Sequence, residues 1–146
     1  MYCLCLKIKV LFTAIGSYKT GEFMNLKIVF RIGAVVFLIN ALGLLFSTGT
    51  FFEMANLTMS PSLLTVGQFM GVTFLILALL YWRTPDLAGQ GIASFGQLFA
   101  IFHGLWVLII GYHIVSGQAS GATAYGNIIV TAVIGILFLV YSKKSD

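Results

Sequence analysis

The sequence predicts an all-α integral membrane protein, a bundle of four transmembrane helices, and three observations support this. Of the 146 residues, 60% are hydrophobic and only 8% are charged, with a mean hydropathy of +1.04. A soluble domain carries about 25% charged residues. The apolar residues form four continuous runs, each near the ~20 residues that a helix needs to cross a bilayer. Such runs lack the alternation of a transmembrane β-barrel.

The four runs place the predicted spans at residues 26–46, 62–82, 92–115 and 124–141. Ser60 and Pro61 open the second span as an N-cap followed by proline at the first helical position, where the missing N–H is not needed. The link over residues 83–91 is predicted to be a tight turn, because Pro85 and Asp86 are typical turn residues.

The link between the first two spans, residues 47–61, is the longest. Its Phe51, Phe52 and Met54 suit a segment that lies in the membrane interface, and its Glu53 suits a solvated carboxylate. The third link, residues 116–123, is small and polar. We therefore expect no soluble domain between the spans.

The basic residues predict the orientation, because Lys and Arg near span ends are retained on the cytoplasmic side. With four spans, all eight basic residues fall on the side of the two termini: Lys7, Lys9, Lys19, Lys27, Arg31, Arg83, Lys143 and Lys144. Both termini are therefore predicted to be cytoplasmic. Amphipathic rings should mark the two interfaces, with Tyr81, Trp82 and Tyr141 on the inner side and Tyr112 and Tyr125 on the outer side.

Residues 1–23 precede the predicted membrane domain of residues 24–146. We interpret them as a basic extension or the product of a misassigned start, since Met24 opens a run typical of small membrane proteins; a peripheral segment on the inner leaflet is the alternative. The only cysteines, Cys3 and Cys5, lie here. A disulfide is disfavoured on the reducing side of the membrane, and two cysteines are too few for a zinc site.

Each predicted span carries a stripe of small or polar residues at helical spacing. Membrane helices associate through small residues and interhelical hydrogen bonds, so these stripes are predicted to face the inside of the bundle. The stripes are Gly33 and Asn40; Gly67, Gly71 and Ala78; Gly96, Ala100 and His103; and Asn127, Thr131 and Gly135.

The polar residues within the spans form a candidate intramembrane site: His103, Asn40, Gln68, Asn127, Arg31 and Gln97. Asn40 and Gln68 both lie ~21 Å from the cytoplasmic side, so they are predicted to hydrogen-bond across the first two spans. The alternative is that this pair lines a substrate cavity. Arg31 is predicted to snorkel to the interface, with binding of a head group or a quinone carbonyl as the alternative.

The two histidines of the third span are predicted to belong to different sites, since ten residues separate them by ~15 Å and about 80°. His113 suits the interface. His103 lies near the bilayer centre, and two roles are open for it. It is either a neutral ring that hydrogen-bonds to a carbonyl or a neighbouring span, or a functional group. A haem would need a second ligand such as Met70, which lies at a similar depth. No metal site is predicted.

The segments FRIGAVVFLINALGLLF, GQFMGVTFLILALLYWR and SGQASGATAYGNIIVTAVIGILFLVY resemble small four-span bacterial proteins of the DoxX-like and related families. The resemblance covers residues 26–141 and rests on glycines, aromatic residues and flanking arginines. It implies a four-helix inner-membrane protein, and in one branch a subunit of a thiosulfate:quinone oxidoreductase. The sequence contains no catalytic motif of the family to carry over.

Two functional hypotheses follow. The first is a non-enzymatic structural or accessory component, in contact with the lipid bilayer, that acts through a membrane partner subunit or as a homo-oligomer. The second is a quinone-linked or haem-binding redox subunit, or a carrier of a small lipophilic molecule, centred on His103. No nucleic-acid partner is predicted. Hydrolases and nucleotide-driven pumps are disfavoured, because the HExxH, GxSxG and P-loop patterns do not occur.

Overall fold

The computed structural model describes residues 20–143, with side chains from Leu26 onward, as a bundle of four long helices. The helices are α1 (Thr20–Phe46), a short α2 (Thr48–Glu53), α3 (Pro61–Leu87), α4 (Ile92–Val115) and α5 (Gly121–Lys143), with a 3₁₀ turn (Gly89–Gly91) between α3 and α4. This part of the chain is 88% helical and has no strands. The predicted all-α class is therefore confirmed for the described residues.

Four segments are long and apolar enough to cross a membrane: Leu26–Phe46, Pro61–Leu87, Gly89–Val115 and Gly121–Lys143. Their outward faces are apolar, as shown by Phe69 and Leu108, each 70% exposed. So large an exposed apolar surface is incompatible with a monomer in water but matches lipid tails. The chain is an integral, multi-pass membrane protein, as its composition predicts.

The predicted first span, residues 26–46, is confirmed by the apolar segment Leu26–Phe46, which lies within a helix that begins at Thr20. The helices α3 and α5 differ from the predicted spans at their ends, and α5 begins at Gly121 rather than Ala124. α3 continues through Pro85 to Leu87, so residues 83–87 form helix rather than a turn. A proline is tolerated here because a span can satisfy the freed backbone group locally. The predicted start of α3 is confirmed, since the Ser60 hydroxyl accepts a bond from the Leu63 N–H at 3.1 Å.

The bundle has two ends, which we name by their connections. The link end carries the 3₁₀ turn between α3 and α4, and the cap end carries the segments 47–60 and 116–120, here called the cap. Along the bundle, α1 packs closely against α3, and α4 packs closely against α5. The two pairs meet chiefly through α1 and α5, while α3 and α4 approach each other much less.

Four aromatic rings, one from each long helix, fill the link-end half of the bundle. This four-ring cluster consists of Phe30, Tyr81, Phe99 and Phe138, none of which is more than 2% exposed. Its shortest centroid distances are 4.3 Å between Tyr81 and Phe99 and 4.7 Å between Phe30 and Phe138, both edge to face. Such packing adds to apolar burial. Tyr81 is therefore a core residue, and the prediction that it marks the interface is wrong.

The predicted small-residue stripes do face the inside. Gly33, Gly71, Gly96 and Gly135 are buried. A Cβ added to Gly33 would lie 2.6 Å from the Tyr81 ring, so glycine lets α1 and α3 approach at the cluster. This is the close backbone approach that small residues permit in membrane bundles.

The cap folds back over the end of the bundle. Phe52 is only 9% exposed, and both Phe51 and Phe52 pack inward, whereas Met54 is exposed. Two hydrogen bonds join the two cap segments: Asn56 Nδ2 donates to Ser120 Oγ at 2.8 Å, and Ser120 N donates to Ala55 O at 3.1 Å. A third bond, from Thr123 N to Met54 O at 3.2 Å, joins the first cap segment to α5. Glu53 is exposed, as expected for a solvated carboxylate.

The predictions that concern residues 1–19 and 144–146 lie outside the described residues. They concern Cys3, Cys5 and four of the eight lysines and arginines, namely Lys7, Lys9, Lys19 and Lys144. The other four basic residues, Lys27, Arg31, Arg83 and Lys143, lie toward the link end of the bundle.

Candidate functional site

An internal cavity of about 400 Å³ lies between the four long helices, in the cap-end half. Its bottom borders the four-ring cluster, because His103 lines the cavity and its ring centroid lies 5.6 Å from that of Phe138. Phe51, Phe52 and Leu57 of the cap line its top. The volume falls within the range of small-molecule sites.

The wall of the cavity is apolar and aromatic, with a few polar side chains. Its aromatic residues are Phe37, Phe51, Phe52, Phe74 and Trp106. The polar residues are Asn40, His103, His113, Gln118, Thr123, Asn127 and Thr131. Among the described residues, no Asp, Glu, Lys or Arg lines it. This combination of apolar walls and few polar groups is typical of sites that orient an uncharged ligand.

His103 is the most deeply placed polar residue of this wall, at 3% exposure. Its Nδ1 lies 2.8 Å from the Phe99 carbonyl oxygen and 3.3 Å from the Tyr81 hydroxyl. Because a carbonyl oxygen only accepts, Nδ1 carries the proton, and Nε2 of the neutral ring is left with a lone pair. Bonding to a carbonyl is one of the two readings that the sequence left open.

Three polar groups of the cavity have no hydrogen-bond partner within the described chain: His103 Nε2, the Asn127 amide and the Thr131 hydroxyl. Every fully buried side-chain nitrogen or oxygen of the described residues does have one. These three groups therefore open onto the cavity. An unsatisfied polar group inside a bilayer costs several kcal/mol, so each requires a partner within the cavity.

Small residues shape this part of the bundle. Gly135, four residues after Thr131 on α5, is buried against α4, where an added Cβ would lie 2.9 Å from the His103 Cβ. On α3, an added Cβ at Gly71 would lie 2.8 Å from Leu45. The glycines bring the helices together within each pair, and the polar residues of the same stripes are left beside the open space between the pairs.

His113 lies at the other end of the same cavity, where its Nδ1 is 2.6 Å from Gln118 Oε1. The prediction that the two histidines belong to different sites is therefore wrong in one respect: both line one cavity. The reason is that the cavity runs along the bundle axis, so ~15 Å of helix rise separates its two ends. His113 anchors the second cap segment to α4.

Of the six predicted site residues, the structure brings together Asn40, His103 and Asn127 around the cavity. The predicted bond between Asn40 and Gln68 is wrong. Asn40 Nδ2 donates to the Val36 carbonyl of its own helix at 2.9 Å, and Gln68 is exposed. Gln68 follows Gly67 directly, so it lies about 100° from the inward stripe of α3. Gln97 is also exposed and does not line the cavity.

Arg31 lies outside the cavity and joins α1 to α3 at the link end. Its NH2 is 3.0 Å from both carboxylate oxygens of Asp86, and its NH1 donates to the Trp82 carbonyl oxygen at 2.7 Å. The guanidinium carbon also lies 4.1 Å from the centre of the Trp82 ring. Arg31 is thus held by protein partners, whereas the sequence predicted snorkelling toward the interface.

Sequence reasoning missed the contributions of Tyr81, Trp106 and the cap phenylalanines to this region. The signal for Tyr81 was present, since it follows Ala78 by three residues and continues the inward stripe of α3. The inward packing of Phe51 and Phe52 depends on the folding of the cap over the bundle, for which the link sequence carries no periodic signal.

A comparison with protein-family models, curated proteins and solved structures finds no match to this chain. The resemblance of residues 26–141 to DoxX-like proteins therefore stays a prediction. The described helices, the cavity and its polar groups carry the functional argument by themselves.

Proposed function

We propose that this protein binds a small, neutral, lipophilic molecule inside its bundle, as an accessory or carrier protein of the membrane. One observation carries the proposal: an apolar cavity within the spans presents His103 Nε2, the Asn127 amide and the Thr131 hydroxyl without protein partners. A ligand with a small polar group would satisfy these atoms while its apolar part contacts the aromatic wall.

The charge of the wall favours a neutral ligand. No Lys or Arg among the described residues lines the cavity, so an anion would be buried without a counter-ion, at high cost. The same argument disfavours haem, although His103 and Met70 both line the cavity, because nothing in this wall balances the two haem carboxylates. A redox role stays a prediction.

The hydrogen-bonding capacity of the wall favours a hydroxyl group on the ligand. A hydroxyl donates to the lone pair on His103 Nε2 and accepts from the Asn127 amide or the Thr131 hydroxyl. A ligand with only carbonyl oxygens would satisfy Asn127 but leave Nε2 without a donor. An uncharged alcohol or phenol therefore fits this wall best.

Photolabelling in lipid nanodiscs tests the proposal. The probe is an eight-carbon alcohol with a diazirine on its third carbon, and unlabelled octan-1-ol is the competitor. We expect saturable labelling of α4 and α5 residues that line the cavity, mapped by peptide mass spectrometry. His103→Leu and Asn127→Leu should each weaken binding about tenfold, because each removes a hydrogen bond worth ~1 kcal/mol or more in an apolar site.

Gln68→Leu is the matched control, since it replaces a polar residue of a span by leucine outside the cavity. Its labelling should equal that of the wild type. Labelling that is not saturable, or that is equal in all three variants, would overturn the proposal. Native mass spectrometry in mild detergent then identifies any molecule that co-purifies with the protein.

We further propose that the link end faces the cytoplasm of a bacterial cell. Lys27, Arg31, Arg83 and Lys143 lie toward the link end, whereas the cap contains no Lys or Arg. In a background with Cys3→Ser and Cys5→Ser, a membrane-impermeant maleimide should label Thr58→Cys from outside the inner membrane and should spare Leu87→Cys. The reverse pattern would contradict this orientation.

The expected partner subunit or homo-oligomer is a separate prediction. Native mass spectrometry reads it as well, since the mass of the complex gives the stoichiometry. A cavity inside one bundle requires no second chain, so ligand binding and association are independent of each other.

A further inference from the structure

A groove between α3 and α4 opens on the lipid-facing side of the bundle, next to the cavity. It is lined by Phe37, Leu77, Tyr81, Phe102, Leu105, Trp106 and Ile109, and its volume is about 570 Å³. Apart from the Tyr81 hydroxyl and the Trp106 indole N–H, the lining is hydrocarbon. The groove follows α4 for ~10 Å, from Phe102 to Ile109. It exists because α3 and α4 approach each other far less than the helices within each pair.

The groove and the cavity share two residues, Phe37 and Trp106. These two rings flank Phe74, whose centroid lies 5.5 Å from that of Phe37 and 5.7 Å from that of Trp106. We call these three residues the partition. Phe74 meets both neighbouring rings edge to face. Breaking such a contact costs about 1 kcal/mol.

The two ends of the cavity carry stronger contacts than the partition does. At the cap end, two hydrogen bonds join the two cap segments, a third joins the first cap segment to Thr123 of α5, and the His113 ring bonds to Gln118. At the link end, the four-ring cluster fills the bundle, with no ring more than 2% exposed. A molecule that moves between lipid and cavity therefore meets the least resistance at the partition.

We propose that the ligand is a single-chain amphiphile, with its neutral polar group in the cavity and its hydrocarbon chain in the groove. The chain passes the partition between Phe37 and Trp106, and the molecule enters sideways from the bilayer. The shared residues place the two spaces on opposite sides of one thin wall, and the hydrocarbon lining of the groove matches an alkyl or prenyl chain. This inference rests on the proposed function, because the polar group must first be bound in the cavity.

Two isomers of a sixteen-carbon alcohol test the inference in nanodiscs. One carries a diazirine on its third carbon and the other on its fifteenth, and hexadecan-1-ol is the competitor. We expect the first isomer to label cavity residues of α5 saturably. The second should saturably label groove residues that do not line the cavity, namely Leu77, Leu105 and Ile109.

A groove-filling variant sharpens the test. Leu105→Trp adds bulk within the groove, while Leu108→Trp adds the same bulk at a lipid-facing position outside both spaces. Leu105→Trp should lower the affinity for the sixteen-carbon alcohol about tenfold, because the new ring occupies the place of the chain. Leu108→Trp should leave it unchanged.

The outcomes separate the inference from the function. If the eight-carbon probe binds saturably but the tail-labelled isomer marks only cavity residues, the chain coils inside the bundle and the inference is wrong while the function stands. Equal effects of Leu105→Trp and Leu108→Trp would also overturn it. If no probe labels the cavity saturably, the proposed function fails, and this inference fails with it.

Discussion

The link-end and cap-end halves of the bundle are built from the same four helices, yet one is closely packed and the other is open. The link-end half presents Phe30, Tyr81, Phe99 and Phe138 to its centre. The cap-end half also carries large rings, among them Phe37, Phe74 and Trp106, but they surround a cavity of about 400 Å³ together with polar side chains such as Asn127 and Thr131. Both halves are strongly apolar in composition. Hydropathy therefore does not decide where the bundle is open.

This contrast separates stability from binding. Closely packed rings in the link-end half stabilise the bundle, because membrane helices associate through packing rather than through exclusion of water. The cap-end half leaves polar atoms without partners, which favours ligand binding over stability. Substitutions in the link-end half should therefore lower stability, whereas substitutions in the cap-end half should lower ligand binding.

Phe138→Ala should cause the largest loss of stability. Removing a fully buried ring from the four-ring cluster should lower the free energy of unfolding by about 3 to 5 kcal/mol. Denaturation in bicelles measures it. The adjacent Leu139→Ala is the control, since Leu139 is 47% exposed to lipid and should change stability by less than about 0.5 kcal/mol. Equal losses would show that the cluster is not the stabilising core.

Gly121→Ala should loosen the cap. Gly121 has φ +85°, and an added Cβ would lie 2.5 Å from the Met54 carbonyl oxygen, so we expect a cost of about 1 to 3 kcal/mol. Hydrogen exchange at the Ser120 and Thr123 amides reports it, since both bond to the first cap segment. Gly117→Ala is the control: its φ is +73° but its surroundings are open, so backbone strain alone should cost about 1 kcal/mol.

The Arg31–Asp86 ion pair should contribute less to the free energy of unfolding. A double-mutant cycle with Arg31→Met and Asp86→Asn should give a coupling energy of about 1 kcal/mol, the upper range for partly exposed ion pairs. The geometry favours this upper value, because Arg31 Nη2 contacts both carboxylate oxygens while Nη1 is held by the Trp82 carbonyl oxygen. A second cycle pairs Asp86→Asn with Arg83→Met, whose charged atoms lie 4.0 Å apart, and should give less than about 0.3 kcal/mol. Equal couplings would contradict the assigned role of Arg31.

Thr131→Val should change stability least, because the Thr131 hydroxyl has no partner within the described chain. We expect no loss, or a gain of up to about 1 kcal/mol, together with weaker labelling by the eight-carbon alcohol. Thr84→Val is the control with the same chemical change, since the Thr84 hydroxyl donates to the Leu80 carbonyl at 2.7 Å and its loss should cost about 1 kcal/mol. A larger loss at Thr131 would place that hydroxyl in the structural core.

Hydropathy and helical phase were sufficient to predict the four spans and the small-residue stripes that face inward. The inward position of Gly33, Gly71 and Gly135 followed from spacing alone, because a helix repeats its faces every three to four residues. The same rule would have placed Gln68 outward, one residue after Gly67. Depth along the axis suggested its pairing with Asn40, but depth does not report the face of a helix.

The cavity itself could not be predicted from the sequence. Its volume depends on the sum of inward side chains from four helices and on the separation of the two helix pairs, and neither is a local property. The cap is similar, since Phe51 and Phe52 face inward only because Asn56 and Ser120 join segments that are 64 residues apart. Contacts between distant segments leave no periodic pattern.

The division of the rings between the helix pairs bears on how the protein is assembled. Phe30 and Tyr81 lie on α1 and α3, while Phe99 and Phe138 lie on α4 and α5. Each pair is a helical hairpin that can insert into the bilayer by itself, but each hairpin contributes only two of the four rings. The aromatic core therefore forms only when the hairpins dock, and a cell that loses this docking step is left with two inserted but unjoined halves.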